Sequence, residues 1–234
     1  MQLVSDYLTD LFDLFYPHVC LACTQKLLGN EEVLCTKCED ELPRSNHWNN
    51  SNNHLVQRFW GRVEVQGAAT LFNFQKKGNV QHLLHQLKYH GRRDVGEYSG
   101  KILGDLLSQS ESIIQNVDLI VPVPLHKRKL KQRGYNQCDS FAEALAVSLN
   151  TSWSSTALIR VEENISQTKK NRFDRYGNVA EIFAVADASQ LKGKHILLVD
   201  DVVTTGATAE ACLNVILAIP GTKVSFAAIA VALR

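Results

Sequence analysis

The chain has 234 residues, with 25 Lys+Arg against 24 Asp+Glu (formal net charge +1), 45% hydrophobic residues and 21% charged residues. That length suits one ordinary domain with a small appendage, and the apolar fraction supports a sizeable core and argues against wholesale disorder. A net charge near zero gives no general drive toward nucleic acid or an anionic membrane, so any such attraction must come from local clusters.

Leu3, Val4, Tyr7, Leu8, Leu11, Phe12 and Phe15 recur at helical spacing with acids between them, which predicts an amphipathic helix over 2–15, ended by Pro17. The N-terminus carries Asp6, Asp10 and Asp13 and lacks the basic start and unbroken apolar stretch of a signal peptide. No run approaches the length of a membrane helix, so a cytoplasmic chain without a membrane span is expected, with its thiols reduced.

Four of the six cysteines fall into two paired spacings, Cys20-x-x-Cys23 and, eleven residues on, Cys35-x-x-Cys38. Each pair lets two sulfurs chelate one ion, and two pairs complete the tetrahedron of a structural zinc site. A module of about 25 residues has too little core to fold alone, and a metal supplies the missing order. Two disulfides or a redox Cys-x-x-Cys are the alternatives; the first is disfavoured by a reducing compartment, the second by the lack of a thioredoxin-like context. Four thiolates leave no open position for catalysis. Cys138 and Cys212 fall in predicted helices and read as buried apolar fillers. His82 and His85 share a helical face but lack the Glu of a metalloprotease pattern.

The Asn-rich stretch from Ser45 to His54 reads as a linker or surface loop. The expected organisation is therefore a helix and four-Cys module over 1–45, a linker over 46–66 and a main domain over 67–234. Within the last, strands are predicted at 67–74, 117–123, 181–185, 195–199 and 224–232, and helices at 80–90, 94–108, 136–149 and 207–218. Strands alternating with helices imply an α/β fold with a Rossmann-like parallel sheet covered on both faces.

The apolar run His195–Val199 leads through Asp200, Asp201, Val202, Val203, Thr204, Thr205 and Gly206 into a helix beginning Ala207-Thr208. Ligands of open α/β sheets bind beyond the carboxyl ends of strands, and a helix N-terminus offers free N–H groups and the positive dipole end to a phosphate. Gly206 permits close backbone approach, and the Thr204, Thr205 and Thr208 hydroxyls can donate to phosphate oxygens. Asp200 and Asp201 cannot bind phosphate; they suit a sugar diol or a divalent cation bridging to it. The plain alternative is a helix N-cap beside a chance Asp-Asp pair. The run resembles the type I phosphoribosyltransferase signature, in which the acidic pair grips the ribose hydroxyls and the Thr/Gly loop binds the 5-phosphate.

After the second strand, Pro124-Leu125-His126 leads into Lys127-Arg128-Lys129-Leu-Lys131-Gln-Arg133, five positive charges in seven residues. Such density repels itself unless it is solvated or faces anions, and a pyrophosphate at the same sheet edge is a natural partner. A solvated basic helix start is the alternative. Val121-Pro-Val-Pro-Leu-His126 followed by Arg133-Gly-Tyr-Asn-Gln137, with Leu87-Lys88-Tyr89-His90-Gly91 and the basic run Gln167 to Phe173, resembles the ComF/GntX family, named for a protein of bacterial competence. With the cysteine module, the likeness spans most of the chain. It departs at Cys138, where the family usually has a small residue, and within 165–173.

The resemblance implies a type I phosphoribosyltransferase-like domain with an N-terminal zinc finger. It implies 5-phosphoribosyl contacts from 200–208 and pyrophosphate contacts from Pro124, Leu125, His126, Lys127 and Arg128. A hood segment over 165–179 would contribute Lys169, Arg172 and Arg175. Phosphoribosyl pyrophosphate with Mg would be the ligand, and Asp200 and Asp201 would hold the ribose as pyrophosphate departs. Three functions stay open: pentosyl transfer to an unidentified acceptor, single-stranded DNA binding in DNA uptake alongside other uptake proteins, and sensing of the sugar pyrophosphate. No glutaminase domain accompanies the chain, which disfavours amide transfer.

Overall fold

The computed structural model describes residues 18–111, 113–161 and 182–233. The helix predicted over 2–15 and the hood residues Lys169, Arg172 and Arg175 lie outside the described residues. The seven α-helices are α1 (Thr36–Glu41), α2 (His54–Gln57), α3 (Asn79–Tyr89), α4 (Asp94–Gln109), α5 (Lys127–Arg133), α6 (Asp139–Ser148) and α7 (Ala207–Leu217) among the described residues. The strands are β1 (Ala68–Phe74), β2 (Leu119–Pro122), β3 (Ser152–Trp153), β4 (Leu158–Arg160), β5 (Phe183–Val185), β6 (His195–Val203) and β7 (Lys223–Ala232).

Five strands form one sheet in the order β1-β7-β6-β2-β3, and every pairing in it is parallel. The second pair, β4 with β5, is antiparallel. Alternate residues of β6 enter opposite cores. Leu197 and Val199 pack with Leu83, Leu87, Leu103 and Phe141 of α3, α4 and α6. Ile196 and Leu198 pack with Cys212, Leu213 and Ile216 of α7 and with Leu55 and Phe59. A strand buried on both faces reads as the continuous apolar run that identified it, and the expected parallel sheet with helices on both faces is what the chain adopts.

On the first face α4 and α6 approach unusually closely. A Cβ built on Gly100 would stand 2.7 Å from both Ala144 Cβ and the Phe141 carbonyl, and Gly96 and Gly104 meet α6 in the same way one turn to either side. The glycine stripe lets two backbones touch, which fixes the start of α6 under the sheet edge.

Two sequence expectations change here. The polar stretch 46–66 carries a 3-10 turn at His47–Asn49 and the helix α2, because Leu55 and Phe59 are fully buried against β7 and α7. Asn53 caps α2 by accepting from the Leu55 and Val56 N–H groups while its amide donates to the Ala68 carbonyl at 2.8 Å. Polarity there serves capping. The strand expected to end at Val199 runs on to Val203, with Asp200 opposite Ala228 and Val202 opposite Ala230 of β7. The acidic pair thus stands on a strand, held by ladder bonds.

Candidate functional site

The parallel register sets Pro122 of β2 beside Val199 of β6, and the Val123 N–H donates to the Val199 carbonyl at 2.8 Å. The chain from Pro124 to His126 therefore leaves the sheet next to Asp200 and Asp201. Lys127 and Arg128 form the first turn of α5, which His126 caps by accepting from the Arg128 N–H at 3.1 Å. No residue of α5 is buried, so its charges are spread over a solvated helix surface. Gly134, at φ 80°, ends the helix; Asn136 then staples the return, donating to the Val123 carbonyl at 3.1 Å and accepting from the Cys138 N–H.

At the end of β6 the chain turns through Thr204 and Thr205, both exposed, to Gly206, which is buried at φ 85° and precedes α7. The Thr205 hydroxyl accepts from the Ala207 N–H at 3.4 Å. Gly206 belongs there because an L side chain is strained in that region of φ. Two arginines absent from the sequence expectations back this turn. Arg58 donates to the Thr204 carbonyl at 2.6 Å and to the Ala232 carbonyl at 2.5 Å, tying the turn to the end of β7. Arg62 pairs with Glu210 in the first turn of α7 at 2.8 Å. They escaped notice because they lie in the stretch taken as a linker.

The acidic pair has a buried environment. Asp201 is buried and its Oδ1 lies 3.0 Å from Lys88 Nζ, at the last turn of α3. Its Oδ2 is buried without a hydrogen-bond partner. Asp200 Oδ1 accepts from the Asp201 N–H at 2.8 Å and from the Cys138 thiol at 3.5 Å. Desolvation, then the neighbouring Asp201 carboxylate, push the Asp200 carboxyl up to about 7. Burial and the same two carboxylates hold the Cys138 thiol well above its ordinary value. Cys138 is therefore more than a filler; it starts α6 and donates to Asp200. Lys88 was visible in the sequence only as part of Lys88-Tyr89-His90-Gly91, with no role attached.

Cys138, Asp200 and Asp201 offer ligand atoms within 4.8 Å of one another, the span of a metal site. The donor set fits magnesium poorly. Mg²⁺ takes oxygen ligands in near-ideal octahedra, whereas here one donor is a protonated sulfur, and one oxygen of each carboxylate is already engaged.

Cys20, Cys23, Cys35 and Cys38 bring four sulfurs within the same span. All four are free thiols, so the two-disulfide alternative does not hold among the described residues. The first knuckle closes through the Cys20 N–H on the Gln25 carbonyl and the Thr24 N–H on the Cys20 carbonyl, each at 2.8 Å; the second through the Glu39 N–H on the Cys35 carbonyl. Burial opposes ionisation of Cys20, but backbone donors at Cys23, Cys35 and Ala22 outweigh it and bring the thiol down to about 7. Burial holds the Cys35 and Cys38 thiols above their ordinary value, so the fit to a structural zinc ion rests on the four converging sulfurs. The cluster is docked on the main domain: His82 of α3 donates from Nδ1 to the Ala22 carbonyl at 3.0 Å, and Tyr98 of α4 donates to Glu39 at 3.0 Å.

Among the described residues no helix is long and apolar enough to cross a membrane. No protein-family model matches the chain. Solved structures resemble it loosely. Glutamine phosphoribosylpyrophosphate amidotransferase from B. subtilis aligns with a TM-score of 0.41 and 18% identity, covering 62% of this chain and 30% of that one. Adenine phosphoribosyltransferase from Trypanosoma brucei aligns with a TM-score of 0.38 and 14% identity, covering 67% and 69%. Likeness at that level carries no ligand or activity across. Curated relatives are nearer in sequence. The "DNA utilization protein YhgH" of Salmonella typhimurium is 34% identical over 128 residues, 54% of this chain, and the chain spans only 56% of that relative's length. The "Competence protein F" of Haemophilus influenzae is 23% identical over 83% of this chain and 88% of its own. The "Competence protein ComFC" of Bacillus subtilis is 36% identical over 38% of this chain and 34% of its own. These matches make the chain similar in sequence to DNA utilization and competence proteins of bacteria.

Proposed function

We propose that the chain binds a 5-phosphorylated ribose, of the phosphoribosyl pyrophosphate class, at the end of β6. The supporting observation is the juxtaposition of two different binding chemistries on one continuous segment. Asp200 and Asp201 present carboxylates at the strand end, with Asp201 Oδ2 buried and unpartnered. A few residues later the Gly206 turn opens an eleven-residue helix whose first N–H groups suit a phosphate. The segment 124–128 leaves the neighbouring strand at the same edge and would receive a second anionic group, the pyrophosphate. Transfer of the phosphoribosyl group to an acceptor, with pyrophosphate as the leaving group, would then be assisted by the Lys127 and Arg128 charges, since positioned cations stabilise a leaving anion. The acceptor is unassigned, and binding is the core of the reading.

Isothermal titration of the zinc-loaded protein with phosphoribosyl pyrophosphate and with ribose 5-phosphate tests it. Both should bind, and D201N should weaken both while leaving inorganic phosphate binding nearly unchanged. Absence of binding by a folded protein overturns the reading.

A second reading, a single-stranded nucleic-acid surface, has its own observation. Tyr89 is 59% exposed, and the Arg133 guanidinium lies 5.0 Å from its ring centroid, beside the solvated charges of α5. Exposed aromatics among cations are stacking platforms for unpaired bases. Its test is the salt dependence of single-stranded DNA affinity. K127A/R128A/R133A should flatten the slope, and an unchanged slope removes this surface from consideration.

A further inference from the structure

The acidic pair already has a cation, and it belongs to the protein. Lys88 Nζ lies 3.0 Å from Asp201 Oδ1, with the Lys88 side chain 21% exposed and that of Asp201 5% exposed. An ammonium and a carboxylate so nearly removed from water hold each other strongly, because either one alone would be an uncompensated buried charge. Lys88 is also held in place from both sides along the chain. Leu87 is fully buried and its carbonyl accepts from the Tyr135 hydroxyl. The Tyr89 ring lies against Arg133, and Lys88 itself sits in the last turn of α3, where unpaired carbonyls favour a positive charge.

We propose that Lys88 is the resident cation of the Asp200–Asp201 pair, so that the pair receives ligand hydroxyls without a divalent ion of its own. Asp201 Oδ1 is occupied by Lys88, and Asp200 Oδ1 by the Asp201 N–H and the Cys138 thiol. The Asp201 oxygen that remains, Oδ2, is buried and lacks a partner. A buried orphan acceptor calls for a donor, and a sugar hydroxyl is one. A hydrated Mg²⁺ would have to displace a fixed ammonium and then find its octahedron among a thiol and half-used carboxylates. Lys88 is thus a positioning residue, acting on the ligand through Asp201. The proposal deepens the phosphoribosyl reading, and any Mg²⁺ present would accompany a pyrophosphate group.

The test measures Mn²⁺, a spectroscopic stand-in for Mg²⁺, by the free-ion electron paramagnetic resonance signal in the presence of zinc-loaded protein. Zinc outcompetes manganese at thiolates, so the cysteine cluster stays silent. Wild type and K88R should leave the free Mn²⁺ signal undiminished. K88M, which removes the charge but keeps most of the stem, should take up one equivalent, and K88M/D201N should take up none. A purely structural lysine would give no such gain. Mn²⁺ uptake by wild type that D201N abolishes overturns the proposal, as does a folded K88M that gains no site. If K88M does not fold, the wild-type, K88R and D201N arms decide by themselves. A parallel titration with ribose 5-phosphate in chelator separates the two readings. Binding that needs added Mn²⁺ overturns this inference alone, whereas no binding under either condition overturns the ligand and leaves the Mn²⁺ result to judge Lys88.

Discussion

Gly206→Ala isolates the contribution of one backbone conformation to the proposed phosphate turn. Gly206 sits at φ 85°, and a Cβ built there meets only Phe59 Cε1 at 3.7 Å and Arg62 Nη2 at 3.8 Å, ordinary contact distances. Alanine therefore fits sterically, and the perturbation is confined to the left-handed backbone, which costs an L-residue about 1–2 kcal/mol. The ligand-free chain can shed that strain by letting the turn relax, because Thr204 and Thr205 are exposed. Stability should then fall by no more than about 1–2 kcal/mol, a melting shift on the order of 2–8 °C. A phosphate that requires the original turn must restore the strain on binding, so ribose 5-phosphate affinity should fall roughly 5- to 30-fold. Calorimetric titration alongside thermal denaturation reads both quantities. Unchanged affinity in a variant with normal zinc content would refute the assignment of this turn to phosphate.

Zinc removal gives a second prediction. C38S should lose the metal and loosen the cysteine module, seen as faster amide exchange at Cys20 and Glu39, whose N–H groups close the two knuckles. Wild-type protein purified without chelator and carrying less than about half an equivalent of zinc would contradict the site. A third concerns pH. His47 is 4% exposed, with Nδ1 2.9 Å from the Thr70 hydroxyl and Nε2 3.2 Å from His54 Nδ1. Burial, then the charges of His54 and Arg58, bring His47 from 6.5 down to about 4. Its folded value lies below its unfolded one, so the unfolded chain binds more protons between them. This contribution is complete above the unfolded value and is lost as pH falls toward about 4, at most about 3 kcal/mol by linkage. Urea denaturation from pH 7 to 4.5 should show the loss and H47Q should flatten it; equal profiles would refute it. Fourth, Gly100→Val should cost about 1–3 kcal/mol or more by forcing α4 from α6, read as a lowered melting temperature.

The main domain was legible because its signals are strong and local. β7 is a continuous apolar run, and α3, α4 and α7 carry apolar faces of helical period, so their ends fell within a residue or two of expectation, whereas β6 ran four residues past the end of its apolar run. The acid-pair segment was legible as chemistry, since two carboxylates, threonines and a glycine between strand and helix admit few uses. What stayed hidden was relational. Arg58 and Arg62 reach the Thr204 turn across 146 and 148 residues of sequence, and nothing in their neighbours marks that. Lys88 meets Asp201 only because α3 and β6 face each other. Cys138 read as a filler because burial and proximity to a carboxylate look alike in one dimension. The basic run 127–133 has no apolar face to mark a helix, so its helix stood only as the solvated alternative; the His126 cap and the Gly134 stop bound it.

The central claim is that β6 and α7 together hold a phosphorylated ribose, and a crystal structure of the zinc-loaded protein with ribose 5-phosphate tests it most directly. The account predicts the phosphate on the N–H groups at the start of α7, between Thr204 and Thr208, with a sugar hydroxyl donating to Asp201 Oδ2 and Lys88 still on Oδ1. A sugar phosphate bound along α5 with the Gly206 turn unengaged, or a ribose turned away from the acidic pair, would contradict it.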